Sequence, residues 1–290
     1  GFKRLEADDF VVSAQAQTAT CWTNNVPTLT TFFTQSGQVF GNSGEYYSTV
    51  YNTDADNGAL DAIAQFEIAY GNISGGGALA YNNNAAAGVS PASTIYGQYR
   101  TLVLEDENAS FSFGGVEQSY FYALSVERAA YKQALFPGSL NLILQGATGG
   151  TNATKLFLTD NSKMVTVPTY YGTMRAYEVI SGSNGQSAEV IAGGSGNGYT
   201  TSAGSYGLFL PDIGTVILNG AALDLNTTQG INLSTTLTSN TDGNNNQKLF
   251  NALTGKVNDP VAVTPAFSLN SEETITSDFV FVRARNSEFN

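Results

Sequence analysis

Acid–base chemistry in this sequence would have to come from carboxylates, because it contains no histidine and a single cysteine, Cys21. A Ser-His-Asp or Cys-His arrangement is therefore impossible, and zinc sites built from several Cys and His are excluded with it. A carboxylate pair that hydrolyses a glycosidic bond remains available in principle. The candidates are Glu105, Asp106, Glu107, Glu117, Glu127 and Glu178, and no spacing among them sets two across a cleft. Glu105-Asp106-Glu107 reads as a solvated turn. The expectation is a chain without catalytic residues.

Asn52, Asp54, Asp56 and Asn57 put oxygen ligands at near-alternate positions, as a calcium loop does. An EF-hand loop needs glycine at its sixth position and glutamate at its twelfth. Counted from Asn52, those places hold Asn57 and Ile63, so the segment reads as a polar turn before a helix. Gly193 to Gly198 has the glycine density of a phosphate loop but lacks its Gly-Lys-Ser/Thr ending, and Gly255-Lys256-Val257 lacks the hydroxyl. The Asn-x-Ser/Thr triplets at Asn72, Asn108, Asn152, Asn226 and Asn232 are what chance produces in an Asn- and Thr-rich chain. Cys21, beside Trp22, reads as a small buried hydrophobe. No metal and no cofactor are expected.

Charge narrows the partners. With 24 acidic and 12 basic residues the formal net charge is −12. Nucleic-acid affinity depends on Lys and Arg displacing counterions, so nucleic acid is not an expected partner, nor is an anionic bilayer. No run approaches the 18 apolar residues of a membrane span. The first residues, Gly1-Phe2-Lys3-Arg4-Leu5-Glu6, lack the apolar core of a signal peptide, and no initiator Met precedes them. Together with a strand-like end, this suggests a fragment of a longer chain.

Only 12% of residues are charged, while Gly (31), Tyr (15) and Phe (17) are abundant. That composition fits short strands joined by tight turns. The expected fold is mainly β, either sandwich-like or of mixed antiparallel sheets. One or two short helices and long Gly/Asn-rich loops would complete it. Residues 1–290 are expected to form one unit, with a division near 193–198 as the alternative.

Strands are expected over Thr28–Phe33, 95–104, 116–128, Ser139–Leu144, Tyr206–Leu210 and Thr215–Leu218. Tyr120–Val126 has the continuous apolar pattern of a strand buried on both faces. A helix is expected from about Gly58 to Tyr70, capped by Asp56 or Asn57 and stopped by Gly71. Helix formers also fill Glu127 to Leu135, up to Pro137-Gly138, and Leu249 to Leu253 suits a helical turn or two. The Gly/Asn/Ala stretch 72–93 reads as a flexible insertion or a loop ordered by a neighbour.

Two stretches resemble segments of large structural proteins from marine and cyanobacterial tailed phages. One is Ser125-Val126-Glu127-Arg128-Ala129-Ala130-Tyr131 continuing through Phe136-Pro137-Gly138-Ser139 to Leu142. The other is Tyr206-Gly207-Leu208-Phe209-Leu210-Pro211-Asp212-Ile213-Gly214 with Val216-Ile217-Leu218-Asn219, and the terminal residues from Phe279 look like a third. The resemblance implies a non-enzymatic virion subunit of the tail or baseplate region, assembled in the host cytoplasm. Its partners would be other virion subunits, in a homo-oligomer or a hetero-assembly. A secreted adhesin or surface-layer protein is the alternative, and a fibre-associated glycan hydrolase a further one. In the terminal strand, Phe279 and Phe281 share a face with Arg283 and Arg285, which makes these four the expected interface residues.

Overall fold

The computed structural model describes residues 14–34, 46–54, 60–78, 90–146, 155–187, 194–238, 244–254 and 266–275. Strands β1 (Ala14–Thr20), β2 (Phe33–Thr34), β3 (Tyr47–Tyr51) and β4 (Ala64–Asn72) come first. Helix α1 (Pro91–Tyr99) then runs into a π-helical turn over Arg100–Leu104. The hairpin β5 (Phe111–Phe113) and β6 (Val116–Gln118) precedes β7 (Tyr120–Val126), β8 (Ala134–Leu135), β9 (Asn141–Gln145) and β10 (Lys155–Asp160). Next are β11 (Thr169–Tyr171), β12 (Met174–Ser183), β13 (Gln186–Ser187), β14 (Gly207–Leu210) and β15 (Thr215–Asn219). Helices α2 (Gly220–Asp224) and α3 (Asn245–Thr254) and strands β16 (Phe267–Ser268) and β17 (Asn270–Ile275) complete the order.

The protein is mainly β, as its composition suggested. One antiparallel sheet runs β16-β9-β10-β12-β14-β15-β7-β4-β3-β2, with β11 and β13 pairing onto β12. This sheet curls back on itself. Leu29, just before β2, exchanges two backbone hydrogen bonds with Phe267 on β16, at 2.9 and 3.1 Å, so the two ends of the path meet. Phe66 on β4 lies 5.3 Å from Phe267, ring to ring, across the enclosed core. That bridge satisfies backbone groups at Leu29 and Phe267 that an open sheet would leave at its edges.

Strict alternation sorts side chains between the two faces. Phe66, Ile68 and Tyr70 on β4 and Tyr120, Tyr122, Leu124 and Val126 on β7 point into the curl. Ala69, Phe121 and Ala123 point outward, and β7 is therefore buried on both faces. The outer layer over them consists of Ile95, Tyr96 and Tyr99 from α1, Val103 from the π-helical turn, and Phe111 and Phe113 from the β5–β6 hairpin. Phe121 is its hub, with ring centroids 4.9 Å from Phe111, 5.3 Å from Tyr96 and 5.7 Å from Tyr99. Gly71 permits that packing, because a Cβ there would sit 2.8 Å from the Phe121 ring and 3.1 Å from the Tyr96 amide.

A second sheet, ordered β1-β17-β8, stands beside the first. Arg175 on β12 joins the two sheets. Its Nη2 and Nε bond Asp212 Oδ1 at 2.6 and 3.0 Å, and its Nη1 lies 3.1 Å from Glu272 Oε1 on β17.

Four expected elements differ. Thr28–Phe33 is not a strand: Leu29 forms a single bridge to Phe267, and strand pairing begins only at Phe33 in β2. Gly58–Tyr70 is not a helix: its described part is a turn followed by β4, in which Phe66 and Ile68 face the core while Leu60 is fully exposed. Side chains alternate between the two sheet faces, Phe66, Ile68 and Tyr70 on one and Ala69 on the other, and both faces are covered. Residues 95–104 are helical, not a strand. Ser90 caps α1 by accepting from the Ser93 amide (3.2 Å), and Pro91 opens it. Between Glu127 and Leu135 only a 3₁₀ turn, Arg128–Ala130, forms before β8 pairs with β17, whose backbone takes precedence over helix propensity. Helix α3 falls where Leu249–Leu253 was read, and extends it to ten residues.

Candidate functional site

A cleft of about 500 Å³ opens where three chain segments converge. β1 ends into Thr20–Thr23, β4 begins at Ile63–Gln65, and β7 leaves through Glu127, Ala129 and Ala130. Buried Gln65 fastens the first two. Its Oε1 accepts from the Thr23 amide (3.0 Å), and its Nε2 donates to Thr23 Oγ1 (2.6 Å) and the Ile63 carbonyl (2.9 Å). Trp22, only 3% exposed, packs its ring 4.8 Å from Phe267 and 6.2 Å from Phe66, so the cleft floor rests on the seam of the curled sheet.

The chemistry of this cleft is limited. Among the described residues, Glu127 is the one charged residue in its lining. Cys21 is buried, and desolvation pushes its thiol up to about 12, far from thiolate formation at neutral pH. Among the described residues, Trp22 Nε1 and Thr20 Oγ1 are buried without a hydrogen-bond partner, and both atoms are shielded from solvent. They therefore offer no donor to a molecule in the cleft.

The other carboxylates are scattered. Glu105, Asp106, Glu107 and Glu117 are exposed, and Asp106 closes a turn by accepting from the Asn108 amide at 2.8 Å. Glu178 on β12 accepts from Ser205 Oγ and from the Gly114 amide (3.4 Å), which bolts the β5–β6 hairpin to the sheet. Burial raises its pKa. Ser205 is fully buried and out of reach of a substrate. Asp160, also buried, accepts from the Gly138 amide (2.9 Å) and the Ser162 amide (3.0 Å), and desolvation raises its pKa against those hydrogen bonds. Glu67 is raised by burial and then by the charge of Glu127. These groups hold turns and strands together, and the structure does not gather the six sequence candidates into one site.

The remaining motifs resolve similarly. Asn52 Oδ1 accepts from the Ile63 amide at 2.8 Å, closing a loop, while Asp56 and Asn57 lie outside the described residues. Among the described residues, no group of three or more His, Cys, Asp or Glu could hold a metal ion. In the Gly193–Gly198 stretch, the Gly198 amide bonds Ser195 O (3.0 Å) and the Ser195 amide bonds Tyr199 O (3.1 Å), so these donors are already used. The start of the Gly/Asn/Ala stretch is built into its own core rather than free. Asn72 Oδ1 accepts from Ser74 N (2.9 Å), and Asn245 donates to Gly77 O (2.8 Å). Residues 79–89 lie outside the described residues, as do Phe279, Phe281, Arg283 and Arg285.

Fold and cleft together define a mainly-β protein built on a curled antiparallel sheet with a mixed polar and apolar recess at its seam. No protein-family model, curated protein or solved structure matches the chain. No helix among the described residues is long and apolar enough to cross a membrane.

Proposed function

We propose that this chain is a structural subunit of a tailed-phage virion, in the tail or baseplate region, that works through contacts with other subunits. One observation carries the reading: the two stretches that resemble phage structural proteins, far apart in sequence, pack as one block. Where β7 and β15 begin to pair, beside Ser125↔Thr215, the Val126 amide of one stretch bonds Gly214 O of the other at 2.9 Å. Gly214, at φ +67°, lies under Tyr131, where a Cβ would come within 2.5 Å of the phenol oxygen. Residues of one stretch thus constrain residues of the other, as expected if both descend from a single structural unit.

The decisive experiment is mass spectrometry and electron microscopy of purified particles. The chain is expected in multiple copies per particle, at a fixed place in the tail. Recovery only from a host-envelope fraction would favour the adhesin reading. Turnover of host polysaccharide by the purified chain, lost on mutating Glu127, would favour the hydrolase.

A further inference from the structure

We propose that Thr23 and Gln65 join in an intramolecular ester, a covalent cross-link that the folded chain forms on itself. The inference goes beyond the subunit reading above and does not rest on it. Three groups in the cleft carry it. Gln65 Nε2 donates to Thr23 Oγ1 at 2.6 Å, and the Thr23 amide donates to Gln65 Oε1 at 3.0 Å. Glu127 stands opposite Gln65, one step beyond the Phe66↔Val126 pair, and its amide bonds the Gln65 carbonyl at 3.2 Å. All three residues line the same recess. The turn that presents Thr23 is unusual as well, because Asn24 and Asn25 are both left-handed, at φ 59° and 54°. That conformation is costly for any residue but glycine, and here it fixes the direction in which Thr23 faces β4.

Each contact has a place in acyl transfer. Thr23 Oγ1 attacks Gln65 Cδ, a C–O bond forms, and the negative charge develops on Oε1. The Thr23 N–H already bonds that oxygen, as an oxyanion-hole donor does. Glu127 accepts the hydroxyl proton and passes it to Nε2. The C–N bond then breaks and ammonia leaves. Alcohol and carboxamide thus become ester and ammonia, with no oxidant, metal or other reactant needed. Escape of ammonia through the open cleft draws the step forward. In the resting contact Oγ1 meets the amide nitrogen rather than the carbonyl face. The carboxamide must therefore leave its bond to the Ile63 carbonyl and turn about its terminal torsion, which is broad in glutamine. That requirement makes the step slow. Gln65 is only 2% exposed, so water has little access to the ester carbonyl once it has formed. The link ties the exit of β1 to the start of β4, and with it the second sheet to the large one.

The test is mass spectrometry of the full chain, purified and then incubated at neutral pH. The intact mass should fall short of the sequence mass by one ammonia, and proteolysis should yield one linked peptide holding Thr23 and Gln65. Mild hydroxylamine, which cleaves esters and spares amides, should separate it into two. Thr23→Ser keeps a hydroxyl and should keep the link, whereas Thr23→Val should abolish it. Glu127→Gln should slow its formation by about a hundredfold or more. A wild-type chain that stays at its sequence mass, with the two peptides separate, overturns the proposal, and this holds whether or not any variant folds. An ammonia loss that persists in Thr23→Val also overturns it, since the loss would then come from an asparagine elsewhere. Equal rates in wild type and Glu127→Gln overturn the role given to Glu127.

Discussion

At the scale of single residues, the buried carboxylates govern how stability responds to pH. Desolvation raises Glu178 and Asp160 above the ordinary carboxylate range, so the folded state binds their protons more tightly than the unfolded state does. Their contribution is then complete below the unfolded-state value and is lost as pH rises through the raised folded value. The melting temperature should therefore increase as pH falls from neutral toward the ordinary carboxylate range. Relief of self-repulsion at net charge −12 acts in the same direction, so the wild-type profile alone does not isolate these groups. Glu178→Gln does, because it is neutral at every pH. Its melting curve should be flatter with pH than wild type, and closest to it at the acid end. A parallel profile would mean that Glu178 is ionised in the folded protein at no cost. None of this was legible in the sequence, where Glu178 was one acid among 24. Its role depends on Ser205 and Gly114, which folding alone brings to it.

At the scale of elements, the outer layer stands or falls on Phe121. It is fully buried and touches three other aromatic rings, so Phe121→Ala should destabilise the protein by about 3–5 kcal/mol, measured by urea denaturation. A loss under about 1 kcal/mol would mean that α1 and the hairpin repack over the gap. This element was readable because Tyr120–Val126 is apolar at every position but Ser125, the pattern of a strand covered on both sides. Its cover was not readable. Ile95 and Tyr96 have strand propensity, and the Ser90-Pro91 capping signal that announces α1 sits five residues earlier, at the end of a Gly/Asn/Ala stretch. Ala64–Asn72 failed for the opposite reason. Its flanking Asp and Asn imitate a helix cap, while the alternation of Phe66, Ile68 and Tyr70 that fixes it as β4 needs a sheet to give it meaning. The cleft shared that difficulty, since Thr20–Thr23, Ile63–Gln65 and Glu127–Ala130 carry no common local signal.

At the scale of the whole molecule, the seam between β16 and the Leu29 segment ties together the two ends of the curled large sheet. Residues 29 and 267 are far apart in sequence, so bringing them together carries a loop-closure entropy cost that the contacts at the seam must offset. The seam is held by two backbone hydrogen bonds and by the Phe267 ring wedged between Trp22 and Phe66. Removing that ring should do more than leave a cavity. Phe267→Ala is expected to cost about 3–5 kcal/mol, as Phe121→Ala does, because both rings are fully buried. The two variants should part in their solution behaviour. Loss of Phe121 thins a layer over a closed sheet, whereas loss of Phe267 loosens the closure and exposes the backbone of β16 and of the segment leading into β2, which invites edge-to-edge association. Light scattering at denaturant concentrations giving equal unfolded fractions separates these outcomes. Phe267→Ala should form large aggregates under conditions where Phe121→Ala stays dispersed. Equal scattering from the two would show that the seam contributes packing alone and does not guard the sheet.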